Sequence, residues 1–178
     1  MKKVYVSWSD VQRQVQEILR QMLLDNWRPD YVVGITRGGL MPANLLSQYL
    51  DCRMETLKVK LRDLKDDESC ESNLWMAEDA YKGKNILIID DINDSGATLN
   101  WIREDWPAGC LPSDTKWQSV WGSNVRVAVL YDNESSDSTV PITYCAETIN
   151  KFNDPQWIVF PWEEWWRRWN PEEEVIVK

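Results

Sequence analysis

The sequence predicts an α/β fold, an open and mainly parallel sheet flanked by helices, and three observations carry that prediction. Apolar runs of strand length, residues 31–35 and 85–90 foremost, alternate along the chain with stretches of helical period. Each of those two runs ends in a turn of unusual composition, Thr36-Arg37-Gly38-Gly39 after the first and DDINDSGAT after the second. Open α/β sheets bind ligands outside the carboxyl ends of their strands, so both turns fall where such a fold places its site. With 178 residues the chain suits a single domain, 1–178, able to bury a real core.

Taken in order, Ser9 can cap a first helix with Gln12 three residues on, after which Val11, Val15, Ile18, Leu19, Met22 and Leu23 follow a helical period. Residues 31–35 form a strand, and the glycine turn then leads into LMPANLLSQYL, residues 40–50, where Pro42 is tolerated in the first helical turn. Residues 56–62, TLKVKLR, alternate strictly, with Leu57, Val59 and Leu61 on one face and Lys58, Lys60 and Arg62 on the other. The polar segment DLKDDESCESN that follows reads as a loop. Residues 85–90 suit a strand covered on both faces, and residues 97–105 a helix after it. The stretch 106–123, with Pro107, Gly109, Pro112, Trp117, Trp121 and Gly122, reads as an irregular insertion. Residues 124–131 and 157–160 supply the last strands.

Composition removes several chemistries. The chain contains no histidine, so Ser-His-Asp, Cys-His and histidine-metal sites are excluded, and acid-base work falls to carboxylates, lysine or tyrosine. Cys52, Cys70, Cys110 and Cys145 form no CxxC and read as reduced thiols. A net charge of −9 argues against a general affinity for nucleic acid. No segment is apolar enough to span a membrane, and MKKVYVSWSDVQ lacks the apolar stretch of a signal peptide, which points to the cytoplasm.

The run ILIIDDINDSGAT holds the most specific chemistry. Asp90 and Asp91 repel one another and are costly to bury unpaired, so a hydroxyl-rich ligand or a metal ion beside them is the direct explanation. Ser95, Gly96, Ala97 and Thr98 open the next helix, where backbone amides and hydroxyls make an anion site without a basic side chain. Carboxylates beside a phosphate site suit ribose hydroxyls and Mg²⁺. The sum describes a pocket for a ribose 5-phosphate. Alone, an Asp-Asp pair is usually a solvated turn, and Arg-Gly-Gly a tight one; their occurrence together at two strand ends favours a ligand.

At these residues the chain resembles the type I phosphoribosyltransferases, most closely the small purine (hypoxanthine, guanine, xanthine) branch. ILIIDDINDSGAT matches the thirteen-residue signature of that family, with Ser95 in place of threonine. YVSWSDVQ resembles the branch's opening, VVGITRGGLMPANLLS its pyrophosphate loop and following helix, and PQWIVFPWEEW its base-binding end. The resemblance implies the type I fold with a small hood region. It implies that Asp90 and Asp91 hold the ribose hydroxyls of phosphoribosyl pyrophosphate, directly or through Mg²⁺, and that Ser95, Gly96, Ala97 and Thr98 hold its 5-phosphate. It also implies that Asp94 manages the proton at purine N7, and that Thr36, Arg37, Gly38 and Gly39 contact pyrophosphate. The Thr36–Arg37 peptide would be cis. Trp157 would stack on the base, Ile158 would offer backbone groups to its edge, and Glu163 would stand near a second Mg²⁺. Residues 63–75 would close over the site, with Lys58, Lys60 or Arg62 at the root of that lid.

One departure stands out. Where the purine branch usually carries a lysine that donates to the 6-oxo group, this chain has Tyr131-Asp132-Asn133, and Asp132 is an acceptor suited to a 6-amino group. A register shift, or Lys151 arriving from the next segment, would restore the usual preference. The expected activity is therefore transfer of the 5-phosphoribosyl group to a purine, giving a nucleoside monophosphate and pyrophosphate. The alternatives are a different base, or a non-catalytic sensor that keeps only the phosphoribosyl pyrophosphate pocket. Trp162, Trp165, Trp166 and Trp169 read as packing or as the surface of a homodimer, a common assembly in that family.

Overall fold

A computed structural model describes residues 1–59, 61 and 70–168. The elements run β1 (Lys2–Tyr5), α1 (Trp8–Leu24), β2 (Tyr31–Thr36), α2 (Leu40–Leu50), β3 (Arg53–Lys58), α3 (Leu74–Lys82), β4 (Ile86–Asn93), α4 (Ala97–Gly109), β5 (Val125–Asn133), β6 (Tyr144–Ile149), β7 (Gln156–Val159) and α5 (Trp165–Arg168). A five-stranded sheet has the order β3-β2-β4-β5-β6, and all its pairings are parallel. This is the α/β architecture expected.

Alternation along the central strands divides the core in two. Val33, Ile86, Ile88, Val125, Val127 and Val129 face α3 and α4, where Met76, Ala77, Ile102 and Trp106 close the layer. Val32, Leu87, Ile89, Ala128 and Leu130 face α1 and α2, against Val15, Ile18, Ala43 and Leu46. Each such aliphatic side chain contributes roughly 1.5–3 kcal/mol by leaving water, and this two-sided burial makes the strands read as continuous apolar runs.

Several boundaries differ from expectation. The cap of α1 is Ser7, not Ser9: its hydroxyl accepts from the Asp10 amide at 3.1 Å while the Asp10 carboxylate accepts from the Ser7 amide at 2.9 Å. Ser7-x-x-Asp10 fits the reciprocal cap as well as Ser9-x-x-Gln12 does, and an ionised acceptor makes the stronger bond. Leu23, expected on the apolar face, is 62% exposed in the last turn. Strand β3 begins at Arg53, earlier than expected, and Val59 bridges to Cys70 in antiparallel sense. Leu57 and Val59 are buried as their alternation requires, and Leu61 is half-buried. Lys60, Arg62 and most of the expected lid lie outside the described residues, as does Trp169.

The stretch 106–123 is more ordered than its proline and glycine content suggests. Helix α4 continues through Pro107 to Gly109, because Trp106 is buried and packs its ring 5.6 Å from that of Trp121. Thr115–Ser119 form a 3-10 turn capped by Asp114, and the Trp117 indole donates to the Cys110 carbonyl at 2.7 Å. The sequence reading missed β1, α3, β6 and α5. These are short or half-exposed elements, whose apolar period is too brief to register.

The hood is a two-stranded parallel sheet in which β1 pairs with β7, placing Lys3 opposite Trp157 and Val4 opposite Ile158. An aromatic series fixes the following segment: Tyr131 meets Phe160 at 5.9 Å, Phe160 stacks on Trp162 at 5.0 Å, and Trp162 meets Trp8 at 5.9 Å. Trp165 and Trp166 are exposed.

Candidate active site

Chain order reverses between β2 and β4: β3 lies on one side of β2, and β4 returns to the other. A crevice opens at such a reversal, outside the carboxyl ends of the strands. The Thr36–Gly39 turn ends β2 and the DDINDSGAT segment ends β4, so the topology brings the two sequence motifs together.

Their contact is direct. A Cβ on Gly38 would stand 2.1 Å from the Asp91 Oδ2, and a Cβ on Gly39 would stand 2.2 Å from the Ile89 carbonyl, so only glycine lets the turn lie on β4. The Thr36–Arg37 peptide is cis, as anticipated. Arg37 is exposed at the mouth, and Lys58 pairs in register with Thr36, which puts a second cationic residue at the same strand end.

Asp90 and Asp91 lie within β4 rather than in the turn after it, because pairing with β5 continues through Asp90–Val129, Ile92–Tyr131 and Asn93–Asp132. The Asp91 amide donates to the Asp90 carboxylate at 2.9 Å. Burial, reinforced by the Glu163 carboxylate, pushes the Asp91 carboxyl up to about 7. Acids that oppose each other in this way form an oxygen set that a divalent cation would relieve. Among the described residues no three potential ligands close into a protein-only metal cage.

Helix α4 opens at Gly96, whose φ of +85° suits glycine and whose Cβ would meet the Ser138 amide at 2.4 Å. The loop around residues 137–139 braces this start: the Asp137 amide donates to the Ser95 carbonyl at 3.1 Å, and Asn100 accepts from the Thr139 amide at 2.7 Å. The result is a helix N-terminus behind a left-handed glycine, flanked by Ser95 and Thr98, with the geometry of an anion cradle.

The opposite side of the crevice is built from side chains of distant segments. Asp94 follows β4, and its Oδ1 lies 2.9 Å from the Lys151 ammonium. That ammonium sits 5.7 Å from the ring centroid of Trp157, which is 40% exposed and offers an aromatic face. Ile158 beside it is buried. Asp132 accepts from the buried Asn93 side-chain amide at 2.8 Å through its Oδ1. Glu163 turns back to accept from the Phe160 amide at 3.0 Å. Asn133 is a residue the sequence reading did not single out. It donates to the Asp94 carbonyl at 2.8 Å and accepts from the Lys151 amide at 2.9 Å. Only its place at a strand end hinted at this, and asparagine there ordinarily signals a turn.

The arrangement offers an anion cradle, paired acids, a glycine turn bearing a cation, and an aromatic face beside a carboxylate and an ammonium. The phosphoribosyl transferase domain family matches residues 5–167. A xanthine-guanine phosphoribosyltransferase of Cereibacter sphaeroides is 32% identical, over 91% of this chain and 87% of that protein. One from Roseobacter denitrificans is 29% identical, over 91% and 86%. Among solved structures, a purine phosphoribosyltransferase from Pyrococcus horikoshii superposes with a TM-score of 0.64 at 26% identity, covering all of both chains. The fold also matches that of a Helicobacter pylori xanthine-guanine-hypoxanthine phosphoribosyltransferase, with a TM-score of 0.63 at 18% identity over 93% and 97%. The sequence match along the domain and the crevice at the β2–β4 reversal agree: this chain belongs to the phosphoribosyltransferase family.

Proposed function

We propose that the protein transfers the 5-phosphoribosyl group of phosphoribosyl pyrophosphate to a purine base, giving a nucleoside 5′-monophosphate and pyrophosphate, a reaction of purine salvage. The observation that carries this reading is the convergence of Asp94, Lys151 and Trp157 beside the Ser95–Thr98 cradle. On this reading a base and a sugar phosphate occupy adjoining places in one crevice.

The cradle of Ser95, Gly96, Ala97 and Thr98 takes the 5-phosphate through amides and hydroxyls at the start of α4. Asp90 and Asp91 accept from the ribose hydroxyls at the adjoining strand end. Thr36, Arg37, Gly38 and Gly39 take the pyrophosphate, with the Arg37 guanidinium balancing the charge that departs with it. Trp157 supports the purine face, and Ile158 lies at its edge. N9 forms its bond to the anomeric carbon as the bond to pyrophosphate breaks, and the proton on N7 passes to Asp94. Holding base and sugar in line replaces a bimolecular encounter with a positioned one.

Asp90 and Asp91 would hold one Mg²⁺ together with the substrate and Glu163 would stand near a second, a mode that needs only one or two carboxylates from the protein for each ion. When bound, the ion would offset phosphate charge and aid departure of pyrophosphate. Free thiols at all four cysteines suit a reducing compartment and support a cytoplasmic setting.

The test is pyrophosphate release from phosphoribosyl pyrophosphate and Mg²⁺ with hypoxanthine, guanine, xanthine, adenine, orotate and uracil offered separately. Turnover with a purine that collapses in Asp94→Asn is the expected result. Saturable binding of phosphoribosyl pyrophosphate without turnover on any base would overturn the reading and leave a sensor.

A further inference from the structure

We propose that Asn100, through the 137–139 segment that it grips, sets the orientation of the Ser95–Gly96 peptide and with it the affinity of the cradle for the phosphoryl group of a sugar phosphate. The inference rests on the reading of that cradle above and adds a positioning residue from outside both sequence motifs.

Gly96, Asn100 and Arg103 fall on one face of α4, spaced four and three residues apart. The connection from β5 to β6 runs across that face. Asn100 uses both ends of its side-chain amide: Nδ2 donates to the Asp137 carbonyl at 2.9 Å, while Oδ1 accepts from the Thr139 amide at 2.7 Å and from the Thr139 hydroxyl at 2.8 Å. One turn further on, the Arg103 guanidinium donates to the Thr139 carbonyl. The start of the segment is tied from the sheet, where the buried Asn93 donates to the Ser136 hydroxyl at 2.9 Å.

Two contacts pass this grip on to the cradle. The Asp137 amide donates to the Ser95 carbonyl at 3.1 Å. The Ser138 backbone lies so close to Gly96 that a Cβ there would stand 2.4 Å from the Ser138 nitrogen. The Ser95–Gly96 peptide is trans, and in a trans peptide the carbonyl and the following N–H point in opposite directions. Holding the Ser95 carbonyl toward Asp137 therefore turns the Gly96 N–H to the side away from the segment. A carbonyl swung the other way would set a partial negative charge against the anion in place of a donor.

A simple tether for the connection needs no such pairing. Asn100 binds residues 137 and 139 as a neighbouring strand would, which presses Ser138, between them, onto Gly96. Asp137 relays the constraint through its backbone, with its carbonyl bound to Asn100 and its amide to Ser95. Both ends of the Asn100 amide are thus engaged on the connection, and the residue acts on the phosphoryl group only through the backbone that it places.

The experiment measures by calorimetry the binding of ribose 5-phosphate and, separately, of pyrophosphate with Mg²⁺, to wild type, Asn100→Ala, Asn100→Gln and Thr139→Val, with thermal melts as the folding control. Misaligning one amide hydrogen bond to a charged phosphate weakens ribose 5-phosphate by roughly 10- to 100-fold in Asn100→Ala. Pyrophosphate binding stays unchanged, a selectivity that a general loss of stability does not produce. Asn100→Gln, with the same donor and acceptor on a longer arm, recovers part of the loss. Thr139→Val keeps the backbone amide that Asn100 accepts from and loses roughly 2- to 5-fold. In turnover, the KM for phosphoribosyl pyrophosphate rises in the same order while kcat holds. Should Asn100→Ala melt early, Asn100→Gln and Thr139→Val carry the comparison. Ribose 5-phosphate affinity unaltered in the Asn100 variants, or an equal loss of pyrophosphate affinity, overturns the role of Asn100 and leaves the purine-transfer reading intact. A wild type that turns over no purine, while its ribose 5-phosphate binding still depends on Asn100, overturns that reading and keeps the role. A wild type that binds no ribose 5-phosphate overturns both.

Discussion

The two halves of the crevice are made in different ways. On the side proposed for the sugar phosphate and pyrophosphate, the groups come from two contiguous motifs, Thr36–Gly39 and Asp90–Thr98, which the sheet sets side by side. On the side proposed for the base the groups are side chains from four separate places, Asp94, Asn133, Lys151 and Trp157, joined by one buried amide and one ion pair. On this reading the phosphate half is a property of the fold, and the base half a property of side-chain choice.

The largest effect expected on this division is at Asp94, which sits where the halves meet. Asp94→Asn keeps the shape but cannot take the N7 proton, so kcat falls by about 10²–10⁴-fold, the usual contribution of a positioned acid or base. Affinity for phosphoribosyl pyrophosphate, measured by calorimetry, is retained. Loss of that affinity together with kcat would break the separation.

Gly38→Ala comes next. Its methyl group would occupy the place of the Asp91 carboxylate, with the Cβ 2.1 Å from Oδ2. The turn and the strand end must part, and misplacement on the order of 1 Å costs about 10²-fold in rate. Steady-state kinetics should show the loss in the KM for phosphoribosyl pyrophosphate as well as in kcat, while the relative preference among bases holds. A change in base preference instead would show that the halves are mechanically coupled.

How much of this was legible in the sequence follows the same line. Strands β2, β4 and β5 and helices α1, α2 and α4 were readable because their apolar periods are long and both faces of the sheet are covered. The Asp90–Thr98 and Thr36–Gly39 motifs were readable because their chemistry is local and contiguous. Ser7 was missed as the α1 cap because two overlapping capping patterns lie two residues apart. Strands β1 and β6 are short and half-exposed, and their pairing with β7 and β5 depends on partners far along the chain. The base side was the least legible. Asp132 accepts from Asn93, and Asn133 bridges two segments, which only the three-dimensional contacts reveal.

A smaller effect belongs to Trp157, whose half-open ring would contribute stacking alone in the proposed site. Trp157→Ala should raise the KM for the base by roughly 5- to 150-fold, the range of one aromatic–base stack, with kcat less affected. Titration of base binding by tryptophan fluorescence would lose its main reporter in the same variant. An equal loss in affinity for phosphoribosyl pyrophosphate would blur the division.

The smallest effect concerns stability on the phosphate side. Asp91 has its folded-state carboxyl raised to about 7 from an ordinary value of 3.8, by burial first and Glu163 second. A carboxyl shifted upward binds its proton more tightly in the folded state, so its contribution is fully present below about pH 4 and is lost as pH rises through about 7. Without added metal, Asp91→Asn should gain stability relative to wild type across that window, on the order of 1 kcal/mol after solvent penetration softens the burial. Thermal melts at a series of pH values measure it. A parallel pH dependence in both proteins would place the strain elsewhere.

The most direct test of the two-part site is a crystal structure with inosine 5′-monophosphate bound. The account predicts the 5-phosphate on the amides of residues 95–98 and the hypoxanthine ring against Trp157, with N7 toward Asp94. A phosphate in that cradle with the base turned away from Asp94, or a nucleotide bound outside the β2–β4 crevice, would contradict it.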